Sequence, residues 1–457
     1  MKVHLIGLGG IGMSGLARIL LEQGVRVSGS DCGESPALRQ MREAGAKVHA
    51  GHRADNLNGP DVVVYSSAIT PDNPELTAAR NRGIPVLHRG QLLAELVAGR
   101  RTVAVAGAHG KSTTSALTAQ LLVRAGWDPL LILGAEVESL GGSARMGQGP
   151  HAVVEADESD GSFLWLRPRL AIITNLDDEH LDFFRNRGEI EEAYAAFAER
   201  VEPGGTLIGC VDDASVRELL ACVSRRRIGY GLSEQAEFRA MDVQVEGSGS
   251  RYRCVRAGRT MGAVRLRIPG LHNVVNSLAV AAAGEALGLD FRLTQRVLEE
   301  YRGAKRRFQI HGEAGGVMVV EDYGHHPTEI EATLKAARGW KGRRVRCLFQ
   351  PHRYSRTLYL LDRFADCFSE ADEVVLLPIY AASEEPLTGA TDDALFRKIR
   401  SGAGKKRVRL CRKPREALEY LKESSKPGDL TLFLGAGSVG SLAGEFLEML
   451  SVRAVAR

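Results

Sequence analysis

The sequence predicts an α/β protein of three domains, built from repeated strand–turn–helix units. Three observations carry that prediction. Short apolar, β-branched runs recur along the chain, among them Lys2–Leu8, Val103–Ala106 and Val345–Phe349, and such runs bounded by turn residues read as buried strands. Amphipathic helical stretches alternate with them, which is the pattern of parallel sheets covered by helices. At 457 residues the chain also exceeds one hydrophobic core and suggests two to four domains.

Composition narrows the class. Hydrophobic residues make up 44% and charged residues 25%, ordinary values for a soluble globular protein. The net charge is only +4. The basic runs Arg225-Arg226-Arg227, Arg343-Arg344 and Lys405-Lys406-Arg407 read as solvated faces, so no nucleic-acid partner is expected. The cysteines at 32, 210, 222, 254, 347, 367 and 411 form no C-x-x-C pair. Neither a zinc ribbon nor a disulfide framework is expected, which fits a reducing cytoplasm. The chain enters a strand at Lys2 without a signal peptide, and no stretch approaches the ~18 apolar residues of a membrane helix. The expectation is a cytoplasmic protein without membrane insertion, a monomer or weak homodimer.

Residues 1–99 read as the first domain. The strand Lys2–Leu8 runs into Gly7-Leu8-Gly9-Gly10-Ile11-Gly12, a helix follows to about Gln23, and the strand Val25–Gly29 ends at Ser30-Asp31. This is a β-α-β unit with G-x-G-x-x-G, whose glycines let a diphosphate approach a helix N-terminus. NAD is the obvious cofactor, but the pattern does not specify the nucleotide. Helix near Ser35–Ala44, strand Asp61–Tyr65, helix Pro74–Arg82, strand Pro85–Leu87 and helix Gly90–Val97 continue the alternation. Ser66-Ser67-Ala68-Ile69 follows a strand, where open α/β sheets place their ligand loops. Ala98-Gly99-Arg100-Arg101 reads as a boundary.

Residues 100–308 form the second domain. Thr102–Ser115 reads T-V-A-V-A-G-A-H-G-K-S-T-T-S: a strand, a glycine-rich turn, a lysine with hydroxyl residues, then a helix. This is the layout of a phosphate-binding loop, in which backbone N–H groups cradle phosphate oxygens, Lys111 reaches the β/γ-phosphates and Ser112 ligates Mg²⁺. The match to G-x-x-x-x-G-K-[ST] is partial, because Val105 stands at the first glycine. Taken alone, the stretch also fits an ordinary strand-to-helix turn. Strand Leu130–Leu133 comes next, and Ala152–Val154 leads into Glu155-Ala156-Asp157-Glu158-Ser159-Asp160. Carboxylates at the end of a buried strand call for a cation, and Mg²⁺ is the natural one. Strand Leu170–Thr174 ends in Asn175-Leu176-Asp177-Asp178-Glu179-His180-Leu181-Asp182, where His180 suits either a surface ion pair or a metal-and-phosphate site. Phe238–Val245, Arg251–Val255 and Ala263–Ile268 alternate like antiparallel strands. His272 and Asn273 then open a helix reaching about Leu287, where Asn273 suits either a cap or base recognition. After a helix near Leu293–Tyr301, Arg306 and Arg307 are placed to clamp a phosphate.

Residues 309–457 form the third domain. Strand Val317–Glu321 ends in Asp322-Tyr323-Gly324-His325-His326-Pro327-Thr328-Glu329, with Pro327 suited to the first turn of a helix. Strand Val345–Phe349 ends in Gln350-Pro351-His352-Arg353-Tyr354-Ser355-Arg356-Thr357. Both loops carry His and Arg where a structural turn needs mainly Gly, Pro, Asn or Asp. Strands Glu373–Leu377, Val408–Cys411 and Leu430–Leu434 complete the sheet, and Gly435–Gly440 reads as a tight turn.

Taken together, the ordered motifs resemble the Mur ligase family along essentially the whole chain. The residues that carry the resemblance are G-L-G-G-I-G-M-S-G (7–15), G-A-H-G-K-S-T-T (107–114), E-A-D-E-S-D (155–160), T-N-L-D-D-E-H-L-D (174–182), H-N-V-V-N-S-L-A (272–279), R-R-F-Q (306–309), D-Y-G-H-H-P-T-E (322–329) and F-Q-P-H-R-Y-S-R-T (349–357). The resemblance implies a Rossmann-like N-terminal domain, a P-loop ATPase-like central domain and a Rossmann-like C-terminal domain that closes with the amino acid. It implies ATP-driven joining of L-alanine to the lactyl carboxylate of UDP-N-acetylmuramate through an acyl phosphate. Gly7, Gly9, Gly10, Gly12, Ser66 and Ser67 would hold the sugar nucleotide. Gly107, Ala108, His109, Gly110, Lys111, Ser112 and Thr113 would wrap the ATP phosphates. Asn273, with His272, would meet the adenine, Arg306 the phosphates and Asp322 the ribose. Ser112, Glu155 and His180 would ligate Mg²⁺. His325, His352, Arg353 and Arg356 would lie near the amino acid and the reacting carboxylate. Lys111, His180, Arg306, His325 and His352 would thus carry the chemistry.

There are departures from the family pattern. The loop reads A-H-G-K-S where T-H-G-K-T is usual; Ser112 keeps the hydroxyl, but Ala108 loses one. G-A-G-S-V-G replaces the commoner G-A-G-D-I near the C-terminus. Residues 112–304 contain no lysine, which excludes the carbamylated lysine of some relatives and favours the alanine-adding branch. Three other readings remain: a sister ligase attaching a recycled peptide to the same sugar nucleotide, a nicotinamide-dependent dehydrogenase suggested by Gly7–Gly12 and Asp31, and a non-catalytic nucleotide-binding protein. D-Y-G-H-H-P-T-E leans towards a single amino acid, the dehydrogenase leaves the phosphate loop unexplained, and the last predicts loss of Lys111, Glu155 or His180, all of which are present.

Overall fold

The computed structural model of the chain describes residues 1–382, 384–402 and 407–455, the last three as backbone alone. Lys405 and Lys406 of the basic run lie outside them. The chain divides into two compact units: Met1–Leu176 with Gly188–Arg239 and Ser277–Val297, and Asp177–Arg187 with Ala240–Asn276 and Leu298–Arg457.

The first unit holds two sheets. Strands β1 (Lys2–Ile6), β2 (Arg26–Asp31), β3 (Lys47–Ala50), β4 (Val62–Tyr65) and β5 (Val86–His88) are ordered β3-β2-β1-β4-β5. All are parallel, and the polar K-V-H-A sequence of β3 gives no strand signal of its own. Ile6 pairs with both Ser30 and Tyr65. That register puts the turns after β1, β2 and β4 at one end of the sheet, where a doubly wound fold binds its ligands.

The second sheet contains β6 (Arg101–Ala106), β7 (Leu130–Val137), β8 (Gly142–Arg145), β9 (His151–Glu155), β10 (Leu170–Ile173), β11 (Thr206–Cys210) and β12 (Arg226–Gly231), in the order β12-β11-β10-β6-β9-β7-β8. β6 is the central strand, with Val103 to Ala106 at most 1% exposed. Val105, the residue at the missing glycine, is therefore a buried strand position. Ala106 pairs with Ile173 of β10, and Val105 with Glu155 of β9. Chain-distant segments are thus brought to both sides of the turn that follows β6. β13 (Phe238–Glu246) joins β12 in parallel over Tyr230 and Gly231. The return is fixed by Asp212, which accepts the N–H groups of Leu232 and Ser233.

In the second unit, β14 (Gly249–Arg256) and β15 (Arg259–Leu266) form the expected antiparallel pair. β16 (Gln309–Ala314), β17 (Val317–Asp322), β18 (Arg344–Phe349), β19 (Glu373–Leu376), β20 (Arg407–Leu410) and β21 (Asp429–Leu434) form a sheet ordered β16-β17-β21-β18-β19-β20. Its inner strands β17, β21, β18 and β19 bury apolar residues on both faces. Leu430, Leu432 and Leu434 pack into one core cluster and Phe433 into the other, as the two-residue period of a strand requires. Asp322, Phe349 and Leu434 are in register, so the loops that follow them leave from one end.

Candidate functional site

The turn after β6 is built from glycine geometry and held by β10. Gly107 has φ +129° and Gly110 φ +82°, values that favour glycine. A Cβ on Gly107 would strike the Thr174 hydroxyl and lie 2.9 Å from the Thr174 nitrogen. Asn175 grips His109 in both directions: its Oδ1 accepts the His109 N–H at 2.8 Å, and its Nδ2 donates to the His109 carbonyl at 3.0 Å. The Thr174 hydroxyl donates to the same carbonyl at 2.6 Å, and the Ala108 N–H donates to the Asn175 carbonyl. Gly110 caps the helix Lys111–Arg124 without a side-chain cap, so the first-turn N–H groups and the helix dipole face the turn. Ser112 and Thr113 lie in that first turn.

Lys111 and Ser112 meet the segment after β9. Lys111 Nζ donates to Glu158 Oε1 at 2.6 Å and to the Gly107 carbonyl at 2.5 Å. Burial opposes its charge, but Glu158, Asp157 and Glu155 outweigh that and hold the lysine pKa above its ordinary value. The Ser112 hydroxyl donates to Glu155 Oε1 at 3.2 Å, and Glu155 Oε2 accepts the Gly134 N–H at 3.0 Å. Ser112 and Glu155 are thus brought together as a hydroxyl–carboxylate pair. Such hard oxygen donors suit Mg²⁺.

In the first sheet, Gly7 has φ +85°, and Gly10 is the N-cap of the helix Ile11–Glu22. Asp31 turns onto this loop: its Oδ2 accepts the Gly9 N–H at 2.8 Å and its Oδ1 the Cys32 N–H at 2.8 Å. The carboxylate that a dinucleotide site aims at a ribose here holds the loop instead. Ser66 borders Gly7, and its hydroxyl accepts the Ala68 N–H. Ser67 bonds Asp160 and lies 3.0 Å from His88 Nε2.

The second unit gathers the third-domain residues around Glu179. Arg356 donates to Glu179 Oε1 through Nε at 2.8 Å, while its Nη1 lies 3.1 Å from His352 Nδ1. Burial works against an ionised Glu179, yet Arg356 and the neighbouring histidines hold its pKa well below the carboxylate range. A guanidinium only donates, so His352 accepts at Nδ1 and carries its proton on Nε2. His325 is the reverse. Its Nδ1 donates to the Tyr323 carbonyl at 3.1 Å, leaving the Nε2 lone pair 4.0 Å from Glu179 Oε1. Burial, reinforced by Arg356, lowers the His325 pKa to about 4; burial, with His325 and Arg356, lowers that of His352 to about 3. Arg353 adopts φ +71° and donates to Asp182 Oδ2 at 2.8 Å. His180, also left-handed at φ +57°, accepts the Phe183 and Phe184 N–H groups on its carbonyl. His326 caps the helix Pro327–Ala337, with Pro327 in its first turn as expected.

Three sequence-predicted ligands make internal bonds. Arg306 donates to Glu321 Oε1 at 2.8 Å and to the carbonyls of Gly435 and Gly437, packing over Tyr323. Asp322 accepts the Phe308 and Gly324 N–H groups, each at 2.7 Å. Asn273 lies inside the first turn of the helix Leu271–Ala286 rather than at its cap, because the helix starts two residues earlier. Its amide donates to the Pro269 carbonyl at 2.7 Å.

Sequence reasoning missed Glu158, Thr174, Asn175, Gly134, Arg89 and Tyr380, which stacks on His352 at 5.7 Å. Glu158 had a signal as a further acid in E-A-D-E-S-D, and Thr174 and Asn175 as the opening of T-N-L-D-D-E-H-L-D.

A phosphate-loop sheet flanked in sequence by two further α/β sheets defines a class, and the chain belongs to it, the Mur ligase family. Residues 2–101 match the family's catalytic domain, 105–284 its middle domain and 306–437 its glutamate ligase domain. The chain is 45% identical over 449 residues to a UDP-N-acetylmuramate–L-alanine ligase of Anaeromyxobacter sp. (strain Fw109-5), covering 98% of each. The solved UDP-N-acetylmuramate-alanine ligase MurC of Thermotoga maritima is similar at 28% identity and a TM-score of 0.85, covering 99% of this chain and 100% of that one. A murein peptide ligase from Psychrobacter arcticus is similar at 25% identity and a TM-score of 0.74, covering 99% of each.

Proposed function

We propose that the chain joins L-alanine to the lactyl carboxylate of UDP-N-acetylmuramate, with ATP as the phosphoryl donor and Mg²⁺ as its metal, in peptidoglycan precursor synthesis. The observation that carries the reading is the paired contact of Lys111 with Glu158 and Ser112 with Glu155 beside the phosphate loop. The full-length identity to relatives of that name supports the substrates. The working division is 1–99 for the sugar nucleotide, 100–308 for ATP and 309–457 for the amino acid. All seven cysteines are free, and no helix among the described residues is long and apolar enough to cross a membrane. We take the chain to be a cytoplasmic enzyme, a monomer or weak homodimer.

Ser112 and Glu155 supply oxygen donors for the cation, and His180 keeps the ligand role that the family motif gives it. Bound Mg²⁺ supplies charge neutralisation to the phosphates. The glycine turn 107–110 and the following helix receive the phosphate oxygens. Lys111 exchanges Glu158 for the γ-phosphate, so the substrate carboxylate can attack phosphorus against less repulsion, and Arg306 keeps the phosphate role that the family motif gives it. Gly7–Gly12, Ser66 and Ser67 hold the sugar nucleotide; Asn273 and Asp322 line the nucleoside. Arg353 and Arg356 receive the amino acid's carboxylate. The amine then attacks the acyl carbon, and phosphate leaves.

The amine must lose a proton, and the hydrogen bonding of the three histidines bears on which one takes it. His352 and His326 both accept hydrogen bonds at Nδ1, whereas His325 keeps its Nε2 lone pair available. His325 is therefore assigned the base and His352 a donor to the reacting carboxylate.

A phosphate-release assay with UDP-N-acetylmuramate, ATP, Mg²⁺ and L-alanine tests the proposal; reduction of NAD without phosphate release would overturn it. The likeness to the murein peptide ligase keeps a recycled tripeptide as the second acceptor to assay.

A further inference from the structure

The segment after β9 has carboxylates that face two ways. Glu155 and Glu158 face the phosphate loop, as described. Asp157 and Asp160 face the first sheet instead. Arg89 Nη2 donates to Asp157 Oδ2 at 2.6 Å and to Asp160 Oδ2 at 2.8 Å. The same Asp160 oxygen receives the Ser67 hydroxyl. Each aspartate spends its other oxygen on its own turn: Asp157 Oδ1 accepts the Ser159 N–H at 3.0 Å, and Asp160 Oδ1 the Ser162 N–H at 2.9 Å. The segment is therefore stiff. Arg89 opens the helix Arg89–Val97, its side chain is 18% exposed, and a Cβ on Gly12 would lie 3.7 Å from its Nη1. One guanidinium borders the glycine turn and binds both aspartates.

We propose that Arg89 is a positioning residue that couples the two nucleotide sites, so that UDP-N-acetylmuramate at the Ser67 loop and ATP at Lys111 bind with mutual dependence. The inference rests on the assignment of those two ligands to those two loops. The contacts run without a break from Ser67 through Asp160, Arg89 and Asp157. Asp157 is the chain neighbour of Glu158, which holds Lys111. A ligand at Ser67 shares the hydroxyl that Asp160 holds. A nucleotide at the phosphate loop draws Lys111 from Glu158. Each event changes the charge balance at one end of a short, stiff, shielded segment, where ion pairs are screened little. Linkage makes the effect reciprocal.

Calorimetric titration of UDP-N-acetylmuramate into the full chain, with and without Mg²⁺ and a non-hydrolysable ATP analogue, tests the proposal. The analogue should change the sugar-nucleotide affinity by about five-fold or more in the unaltered protein. In Arg89→Ala the change should shrink to less than about two-fold, with affinity for the analogue alone nearly unchanged. Asp160→Asn, which keeps a partner for Ser67 but weakens the pair with Arg89, should lose the coupling too. A merely structural role would weaken both ligands alike and keep the ratio. An undiminished ratio in both variants, or no coupling in the unaltered protein, overturns the proposal. If the unaltered protein binds neither ligand, the proposed function fails with it; if turnover and coupling both survive in Arg89→Ala, only the role of Arg89 falls.

Discussion

Lys111 Nζ lies 2.6 Å from Glu158 Oε1, with both side chains largely buried. The lysine assigned to the ATP phosphates is thus held by a carboxylate three residues past the proposed metal ligand Glu155. Lys111→Ala should lower turnover on the order of 100-fold or more while leaving sugar-nucleotide affinity largely intact. Steady-state phosphate release and calorimetry measure the two quantities, and unchanged turnover would remove the phosphate-loop assignment.

The same pair sets a pH dependence. The folded pKa of Lys111 is raised above its ordinary 10.5, with Glu158 the leading charge behind the rise. Its stabilisation is fully present below the unfolded pKa and is lost as pH rises through the folded one. Glu158→Gln should therefore move the alkaline loss of stability to lower pH, read as melting temperature between about pH 9 and 12.

His325 and His352 act at the other end of the scale. Their folded pKa values, about 4 and about 3, lie below the ordinary 6.5. Neutral in the fold, they contribute stability that is present above pH 6.5 and is lost as pH falls towards 4 and 3. For His325 the full effect is on the order of 3 kcal/mol. His325→Gln should flatten the acid limb of a stability–pH profile, and it should also lower turnover; an unaltered acid limb would contradict the buried neutral imidazole.

Gly107→Ala should destabilise the fold by roughly 3 kcal/mol or more, because it adds a Cβ at φ +129° against Thr174. Nucleotide affinity should fall with it. Denaturant unfolding and ADP titration check both, and a wild-type profile would mean that the turn has another conformation in solution.

Glu155→Gln should raise the Mg²⁺ concentration needed for phosphate release and lower the maximal rate on the order of 100-fold. A rate that does not depend on Mg²⁺ in either protein would exclude Glu155 as a metal ligand.

How much of this was legible depends on range along the chain. Gly7–Gly12, Lys111 and Glu155 could be read directly, because a glycine turn and a carboxylate ending a strand carry their chemistry locally. Glu158 was visible as an acid but not as the partner of Lys111, since that contact depends on β9 pairing beside β6. Thr174 and Asn175 grip His109 only because β10 lies on the other side of β6. Asp31 read, with Gly7–Gly12, as a hint of a nicotinamide-dependent enzyme; in the fold its carboxylate accepts the Gly9 N–H and holds the loop. Arg89 is one of many arginines in sequence, and only the fold brings Asp157 and Asp160 to it. β3 and the parallel start of β13 were not legible because neither is written in local residue periodicity.

The central claim is that this chain spends ATP to join one amino acid to a sugar-nucleotide carboxylate. The most direct measurement is phosphate release with Mg²⁺, ATP and UDP-N-acetylmuramate across a panel of L-alanine, L-serine, glycine and the tripeptide, with product mass read in parallel. The account predicts release that needs both the sugar nucleotide and the acceptor, fastest with L-alanine, and a product heavier by one alanyl residue. Release that ignores the acceptor, or a product formed only with the tripeptide, would contradict it.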